Sequence, residues 1–296
     1  MEKVKEYKNG DYHVIFTSLG SRIIIPTKEN GKFDFPNGID ICITKECDNG
    51  CPFCYNNSTR SGKHSSFELF KKLLSTYNGG EIAIGGGDAF NHPDIDDMLN
   101  FCKEKGIFVS MTVNQNHLKR HKDKILRYFK EDLLECIGIS LIDPSTWDED
   151  LYQEINNAKE EGVTIHTIAG ILDNTFYRVL KDKKLLILGY KDLGRGKGNM
   201  PTWNIEWLKG EGLDILQYKC KKIIFDNLAI DQLEIKNRFA EEDWDIIYQG
   251  DDGVGSMYLD LVDLWYGKSS IIDEKEEIPL VIDESTTIES LYKSML

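Results

Sequence analysis

The stretch that decides the fold is IDICITKECDNGCPFC, residues 39–54, in which an apolar segment runs directly into a group of cysteines. Its first part, residues 39–44, is a short apolar run typical of a buried strand. Cys47, Cys51 and Cys54 follow with the spacing C-x3-C-x2-C. The predicted strand therefore brings three thiols together in one loop at its C-terminal end.

The spacing of these cysteines favours an iron–sulfur cluster. A [4Fe–4S] cluster contains four irons, and a cysteine thiolate is the usual protein ligand of each iron. Three closely spaced cysteines bind three irons and leave the fourth open to a ligand that is not part of the protein. Because chemistry can take place at an open iron, the loop predicts a reactive centre.

The segment from Cys47 to Cys54, with Phe53 just before the third cysteine, resembles the signature of the radical S-adenosylmethionine (radical SAM) superfamily. The resemblance implies that Cys47, Cys51 and Cys54 are the metal ligands and catalytic residues of one [4Fe–4S] cluster. It also implies that S-adenosylmethionine (SAM) binds the open iron through its amino and carboxylate groups. In that superfamily an electron from the reduced cluster cleaves SAM to methionine and a 5′-deoxyadenosyl radical, which abstracts a hydrogen atom from the substrate.

Two other uses of the cysteines are weighed against the cluster. A structural zinc site usually has four ligands in paired knuckles, and the sequence has no second C-x2-C pair. A disulfide framework is disfavoured because seven cysteines is an odd number and the charged start of the sequence is unlike a secretory signal. The remaining cysteines are interpreted as small core residues, and they are Cys42, Cys102, Cys136 and Cys220.

The composition is that of an ordinary soluble protein with a barrel-sized domain, since the 296 residues are 41% hydrophobic and 29% charged. The formal charge of −14, from 50 acidic and 36 basic residues, disfavours a surface that follows the phosphates of long nucleic acid. No apolar run approaches the roughly 18 residues that a membrane span needs. Because thiolate-bound iron requires a reducing compartment, the expected location is the cytoplasm.

Downstream of the cysteines, short apolar runs alternate with longer amphipathic stretches, which predicts parallel strands joined by helices. The predicted strands are residues 39–44, 81–85, 107–113, 136–142, 163–169 and 185–190. The predicted helices between them are residues 67–77, 95–105, 117–129 and 151–161. Since six βα units are fewer than the eight of a closed TIM barrel, the sequence predicts an α/β fold with an open, partial (β/α)6 TIM-like barrel.

Three regions are predicted along the chain. Residues 1–35 form an N-terminal β extension, residues 36–200 form the partial-barrel core, and residues 201–296 form a C-terminal α+β segment that covers the barrel opening. The elements predicted outside the core are strands at 12–16, 21–25, 222–225 and 256–262, and helices at 203–216 and 287–295.

Active sites of such barrels lie at the C-terminal ends of the strands. Gly86-Gly87-Asp88 follows the second predicted strand and resembles the GGEP segment of the superfamily, which implies contact with the amino group of SAM. Two departures are visible, because Asp88 replaces the usual glutamate and Ala89 replaces the usual proline. Glycines allow a ligand to approach the backbone closely, and a carboxylate beside an ammonium group makes a charge-assisted hydrogen bond.

Other candidates for cofactor binding also follow predicted strands, and each has a structural alternative. Phe53 is expected near the adenine of SAM, or packed beneath its loop. Ser140 matches a position that contacts the ribose or carboxylate of SAM, but it equally suits a turn. Asn114 either lines the cofactor pocket or caps the next helix, and Gly170 follows a strand where the superfamily often packs adenine.

Three further features lie near the predicted rim. His166 is interpreted as a hydrogen-bonded core histidine rather than a catalytic one. Gly194-Arg195-Gly196 lacks the spacing of a phosphate-binding loop, so Arg195 is assigned to a flexible loop in which it can meet a carboxylate. Polar residues in turns of the C-terminal segment are expected to face the substrate if that segment covers the barrel, and they are Asp226, Asn227, Asp251, Asp252 and Tyr258.

The wider pattern, including residues 168–171 and 250–253, resembles a group of phage and bacterial radical SAM proteins to which no reaction is assigned. Because Cys220 is the only cysteine after Cys136, the prediction is one cluster without auxiliary clusters. The first hypothesis is an oxidoreductase or lyase-like radical SAM enzyme that acts on a small metabolite, nucleotide or short peptide and uses an external one-electron donor such as flavodoxin or ferredoxin. The alternative is a non-catalytic module that binds or senses through its iron–sulfur cluster and SAM.

Overall fold

A computed structural model describes residues 3–17, 22–29, 31–159, 161–248, 250–271 and 277–296. Within these residues there are thirteen strands, and they are β1 (Lys3–Asn9), β2 (Tyr12–Thr17), β3 (Arg22–Pro26), β4 (Gly38–Thr44), β5 (Glu81–Gly86), β6 (Phe108–Asn114), β7 (Cys136–Ser140), β8 (Val163–Ile168), β9 (Lys184–Leu188), β10 (Lys222–Phe225), β11 (Ser256–Asp260), β12 (Trp265–Gly267) and β13 (Ile278–Pro279). Ser21 and Glu160, which belong to a predicted strand and a predicted helix, lie outside the described residues.

Helices connect most of these strands. The α-helices in the described residues are α1 (Phe67–Leu74), α2 (Ile95–Glu104), α3 (Gln115–Lys130), α4 (Glu149–Ala158), α5 (Tyr177–Leu180), α6 (Thr202–Trp207), α7 (Leu213–Lys219), α8 (Asn227–Gln232), α9 (Glu241–Ile247) and α10 (Ile288–Met295). No helix in this part of the chain is both long enough and apolar enough to cross a membrane.

The strands β4 to β13 form one sheet in the order β10-β9-β8-β7-β6-β5-β4-β11-β12-β13. The first eight strands in this order run parallel, and β12 and β13 join antiparallel at one end. Since β4 to β9 are the six predicted strands, the predicted α/β partial barrel is confirmed. β10 and β11 extend it on either side but do not pair with each other in the described structure, so the barrel stays open.

The two faces of the curved sheet have different chemistry. On β4, Ile39 and Ile41 are at most 2% exposed and share a core cluster with Phe70 of α1. Burying one such side chain contributes about 1.5–3 kcal/mol. Because successive residues of a strand point to opposite faces, Asp40 and Cys42 point into the barrel interior. The helices thus cover an apolar outer face, while the inner face carries polar groups.

Two predicted helices are shorter or interrupted in the structure. The first starts at Phe67 as predicted, because Ser66 caps it by accepting a hydrogen bond from the backbone N of Leu69 at 3.2 Å, and it ends at Leu74, earlier than predicted. The helix predicted at 203–216 is interrupted by the π-helical segment Leu208–Gly212, in which Gly210 has φ −84° and ψ −106°. Glycine tolerates this conformation, so the segment becomes two helices, α6 and α7.

The three-region division of the chain stays a prediction. Among the described residues, β1 to β3 form a separate antiparallel sheet. Lys5 of that sheet donates to the backbone O of Gly106 at 2.6 Å, and Phe16 packs against Phe108 with ring centroids 5.0 Å apart. The small sheet therefore lies at the N-terminal end of β6, opposite the end that carries the cysteines. The C-terminal third contributes β10 to one side of the main sheet and β11 to β13 to the other.

Asn9 connects this small sheet to the segment that leads into β4. Its side chain is fully buried and donates to the backbone O of Phe35 at 2.7 Å and to Oδ1 of Asn37 at 2.8 Å. Its Oδ1 accepts hydrogen bonds from the backbone N of Asp34 and Phe35. The buried side chain of Asn9 therefore makes four hydrogen bonds that fix the approach to β4, the strand that leads to the cysteines.

We expect Asn9→Ala to lower the free energy of unfolding by about 2–4 kcal/mol, because several buried polar groups lose their partners. Urea denaturation measures this change. Asn91→Ala is the matched control, since Asn91 is exposed and should change the free energy of unfolding by less than about 0.5 kcal/mol. Equal effects of the two substitutions would contradict the role given to Asn9.

Candidate cluster and cofactor site

The cysteine loop, residues 45–63, leaves β4 and returns beside it. The backbone N of Lys45 donates to the O of Lys63 at 2.8 Å, and the N of Cys47 donates to the O of Thr59 at 2.9 Å. Cys47, Cys51 and Cys54 are free and partly buried. These backbone hydrogen bonds close the loop at its base and hold the three thiols at the C-terminal end of β4.

The protein alone does not favour the thiolate form of Cys47 or Cys51. Burial raises the pKa of Cys47 and of Cys51. Asn49 Nδ2 lies 2.8 Å from Cys51 Sγ and opposes this effect at one thiol. A metal centre is therefore needed to hold the thiols deprotonated, as metal binding to cysteine does.

Arg195 holds the cysteine loop through its backbone. Its N donates to the O of Cys54 at 3.0 Å, its Nε to the O of Cys51 at 2.9 Å, and its Nη1 to the O of Ser58 at 2.9 Å. The prediction that Arg195 meets a carboxylate in a flexible loop is therefore wrong, because its partners are carbonyl oxygens. Gly194 makes this approach possible, since it has φ +56° and a Cβ there would lie 2.4 Å from the O of Tyr55.

The loop after β5 is bonded to the cysteine loop. The backbone N of Gly87 donates to the O of Thr44 at 2.6 Å, and the N of Asp88 donates to the O of Glu46 at 2.7 Å. A Cβ at Gly87 would lie 2.1 Å from the O of Glu46, so a larger residue would separate the two loops. The glycine run thus brings the backbone of Asp88 next to the first cysteine.

Asp88 is bonded on one oxygen and free on the other. Its side chain is 1% exposed, and its Oδ2 lies 2.8 Å from Arg120 Nη2, 2.8 Å from His121 Nε2 and 3.2 Å from His117 Nδ1. Its Oδ1 is buried without a hydrogen-bond partner among the described residues. Burial alone would raise the pKa of Asp88, but the hydrogen bond and charge of His121, with His117 and Arg120, lower it overall. The side chain is therefore a held carboxylate with one available oxygen.

Helix α3 also binds the cysteine loop directly. Arg120 makes two hydrogen bonds to the carboxylate of Asp48, at 3.0 and 3.2 Å, and His117 Nε2 lies 2.8 Å from Asp48 Oδ1. Asn116 Nδ2 donates to Asn49 Oδ1 at 2.8 Å. The hydrogen bond from Arg120 keeps the pKa of Asp48 well below its usual range. One helix face thus links Asp88 to the residues that follow Cys47.

No group of three His, Cys, Asp or Glu side chains within the described ranges is arranged to bind a single metal ion. A zinc site needs its ligand atoms within about 2.0–2.3 Å of one point. In an iron–sulfur cluster, by contrast, each thiolate binds a different iron. The three cysteines therefore do not form a completed site for one metal ion.

A comparison with protein families identifies the segment that carries this geometry. Residues 41–182 match the family model of the radical SAM superfamily. Residues 41–182 of this chain form a radical SAM domain. This match confirms the family that the cysteine signature predicts, implies an iron–sulfur cluster and SAM as cofactors, and confirms the expectation of an enzyme.

Among curated proteins, the radical SAM segment is similar to the antilisterial bacteriocin subtilosin biosynthesis protein AlbA of Bacillus subtilis strain 168. The two are 27% identical over 125 residues, which are 41% of this chain and 28% of AlbA. The chain therefore spans well under two thirds of the length of this relative.

Among solved structures, the fold is similar to that of Streptococcus suis SuiB. The structure of SuiB bound to SAM matches with a TM-score of 0.59 and 14% identity, over 88% of this chain and 66% of SuiB. The structure of SuiB bound to its precursor peptide SuiA matches with a TM-score of 0.55 and 14% identity, over 80% of this chain and 60% of SuiB. At this identity the likeness supports the fold.

The site residues of this radical SAM domain fit a cofactor with an ammonium group. Asp88 Oδ1 is a buried acceptor without a partner in the described structure, and such an atom costs free energy until a donor reaches it. Gly85, on the barrel side of β5, faces open space, because a Cβ there would meet no atom within 4 Å. The segment that resembles GGEP therefore has an acceptor without a partner, and the strand before it has room on its barrel side.

The other predicted cofactor residues lie along the same edge of the sheet. Asn114 and Ser140 are paired in register at the ends of β6 and β7. Asn114 Oδ1 accepts from the backbone N of Asn116 at 3.0 Å and so caps α3. Phe53 is partly buried in the cysteine loop, and Gly170 accepts a hydrogen bond from Asn204 Nδ2 at 3.1 Å. The cofactor contacts of these four residues stay predictions.

The sequence reasoning missed His117, Arg120 and His121. Their spacing of three and four residues places them on one face of a helix, which is the signal that could have found them. The spacing does not reveal their partner, because Asp88 lies 29 to 33 residues earlier in the sequence. It meets them only when α3 packs against β6 and β7.

We expect Arg195→Ala to weaken iron binding. The substitution removes two hydrogen bonds from a charged side chain to the cysteine loop, which together stabilise it by about 3 kcal/mol. Iron and acid-labile sulfide per chain after anaerobic reconstitution measure the effect. Lys197→Ala, an exposed change in the same loop, is the control and should retain full loading. Undiminished iron in Arg195→Ala would show that the loop does not depend on this arginine.

Proposed function

We propose that this chain binds one [4Fe–4S] cluster through Cys47, Cys51 and Cys54 and reductively cleaves SAM. The observation that carries the proposal is the pair of backbone hydrogen bonds that joins the cysteine loop to Gly87 and Asp88. They place three thiols and a free carboxylate oxygen in one region. When bound, the reduced cluster supplies the electron that converts SAM to methionine and a 5′-deoxyadenosyl radical, which abstracts hydrogen from a substrate.

The protein groups have separate tasks in this proposal. The three cysteines bind the cluster, and Arg195 fixes the backbone that carries two of them. Asp88 Oδ1 accepts a hydrogen bond from the amino group of SAM, while Arg120 and His121 hold Oδ2 and so set the direction of Oδ1. Because the carboxylate is already oriented, little side-chain freedom is lost when SAM binds.

A peptide is the substrate class that we propose. AlbA is a biosynthesis protein of the bacteriocin subtilosin, and SuiB is a protein whose structure holds the precursor peptide SuiA. Both relatives therefore favour the peptide among the three substrate classes considered from the sequence. The proposal includes an external one-electron donor such as flavodoxin or ferredoxin, and it keeps the cytoplasm as the location because the cluster requires a reducing compartment.

Cleavage of SAM tests this function directly. After anaerobic reconstitution with iron and sulfide, SAM and dithionite are added, and 5′-deoxyadenosine and methionine are separated by chromatography. We expect both products from the wild type and neither from the triple variant Cys47→Ala, Cys51→Ala, Cys54→Ala, because three irons lose their ligands.

Cys220→Ala is the matched cysteine control and should form both products, since Cys220 lies outside the cysteine loop. Persistence of cluster and products in the triple variant would refute the ligand assignment. Intact SAM in a wild-type sample with a fully formed cluster would instead favour the non-catalytic binding module. Zinc in place of iron in anaerobically purified protein would favour the structural zinc site.

A further inference from the structure

The barrel interior below the cysteine loop contains a carboxylate, Asp40, in a position with room around it. Asp40 lies on the inner face of β4 and pairs in register with Ala83 of β5 and Tyr258 of β11. Ala83 is small, and Gly85 two residues further along β5 faces open space. The interior therefore has room on the β5 side of Asp40, while the buried side chain of Tyr258 occupies the β11 side, whereas the centre of a complete TIM barrel is packed throughout.

The carboxylate of Asp40 makes no hydrogen bond or ion pair with any residue that the structure describes. It is exposed to solvent, although nearby protein atoms bury it enough to change its pKa, as expected of a group in an open barrel interior. Burial raises the pKa of Asp40 to about 6, and the nearby charge of Lys191 opposes the shift. An unpaired, surrounded carboxylate gains free energy when a donor reaches it.

Lys191 lies near Asp40 but is directed to other partners. Its Nζ donates to Ser270 Oγ at 2.6 Å and lies 3.9 Å from the centre of the Tyr55 ring. Cation–π contact with a tyrosine stabilises an ammonium group by about 0.5–2 kcal/mol. Lys191 therefore contributes positive charge to the interior without occupying the oxygens of Asp40.

The other carboxylates near Asp40 already have hydrogen-bond partners. Asp226 Oδ1 accepts from the backbone N of Gly189 at 2.9 Å and caps α8. Asp252 Oδ1 accepts from Asn227 Nδ2 at 2.7 Å. Like Glu81, both carboxylates raise the pKa of Asp40 through their negative charge. Their charge also disfavours a further negative group beside Asp40. Lys191 is thus close to three carboxylates, those of Asp40, Asp226 and Asp252, and this excess of negative charge favours a cationic ligand over an anionic one.

His166 adds a neutral polar group to the same interior. Its ring lies against Gly138, where a Cβ would be 2.1 Å from Cε1, and burial lowers its pKa to about 4. No hydrogen bond to the ring is present among the described residues, so its interpretation as a hydrogen-bonded core histidine is wrong. A neutral imidazole adds no positive charge to that of Lys191.

We propose that Asp40 is the substrate-binding group of the barrel interior and that it takes a protonated amine or guanidinium of the substrate. The inference rests on the proposed function. Asp40 lies four residues before the end of β4, about 13 Å along the strand, so a nitrogen bound there lies at the inner end of an extended side chain. The carbons of that side chain then lie between Asp40 and the cysteine loop, where hydrogen abstraction takes place.

Capped tripeptides of known charge test the proposal. Reconstituted, SAM-loaded protein is titrated anaerobically with Gly-Lys-Gly, Gly-Arg-Gly, Gly-norleucine-Gly, Gly-citrulline-Gly and Gly-Glu-Gly, and binding is measured by calorimetry. We expect at least one cationic peptide to bind about tenfold or more tightly than its neutral counterpart, as one charge-assisted hydrogen bond provides. Asp40→Asn should abolish that preference, while Asp97→Asn, an exposed change on α2, should retain it.

A second variant is expected to change the charge preference in the opposite direction. It keeps the test valid if Asp40→Asn fails to fold. Lys191→Met removes the positive charge that competes with the ligand, so the preference for the cationic peptide should increase. Wild-type protein that shows no preference for a cation, or a preference that survives in Asp40→Asn, would overturn the proposal.

Formation of 5′-deoxyadenosine after dithionite is added to the same wild-type samples separates the two claims. If this product forms while the charge preference is absent, only the role of Asp40 fails. If the product is absent, the proposed function itself fails.

Discussion

The site depends on two backbone hydrogen bonds made beyond the ends of neighbouring strands. Gly87 and Asp88 donate to carbonyl oxygens of the segment that leads into Cys47, and this continues the pairing of β4 and β5 past their last register. Loops at the end of a parallel sheet are otherwise free to diverge. Here the loop that carries the thiols and the loop that carries Asp88 behave as one unit, because the glycines allow their backbones to touch.

The two carboxylate oxygens of Asp88 have different surroundings. Three side-chain nitrogens from α3 lie within 3.2 Å of Oδ2, and none in the described structure reaches Oδ1. A carboxylate held in this way keeps its charge in a buried place, and it presents that charge in one direction. The aspartate is shorter than the glutamate usual in the family, and its support from Arg120 and His121 gives it a fixed position in spite of that departure.

The sequence was sufficient for those features that depend on local pattern. Apolar runs located β4 to β9, and the spacing of Cys47, Cys51 and Cys54 identified the family without any structure. It missed β1, whose sequence KVKEYKN is mostly polar, because that strand is specified by its pairing with β2. A strand of this kind carries no apolar signal of its own.

Contacts between distant segments could not be predicted from local residue patterns. Arg195 was assigned to a carboxylate, yet its partners are carbonyl oxygens more than 130 residues away, and backbone atoms have no sequence signature. The unpaired state of Asp40 is likewise a tertiary property. An aspartate on an apolar strand is readable from sequence, but whether a partner meets it depends on which residues of β5, β9 and β11 surround it.

The central claim is that the cysteine loop and Asp88 form one site for an iron–sulfur cluster and SAM. The most direct measurement is electron–nuclear double resonance on the reduced, reconstituted protein with SAM labelled by ¹⁵N in its amino group. The account predicts a hyperfine coupling between the cluster and the labelled nitrogen. A properly formed cluster whose spectrum shows no such coupling and does not change when SAM is added would contradict it.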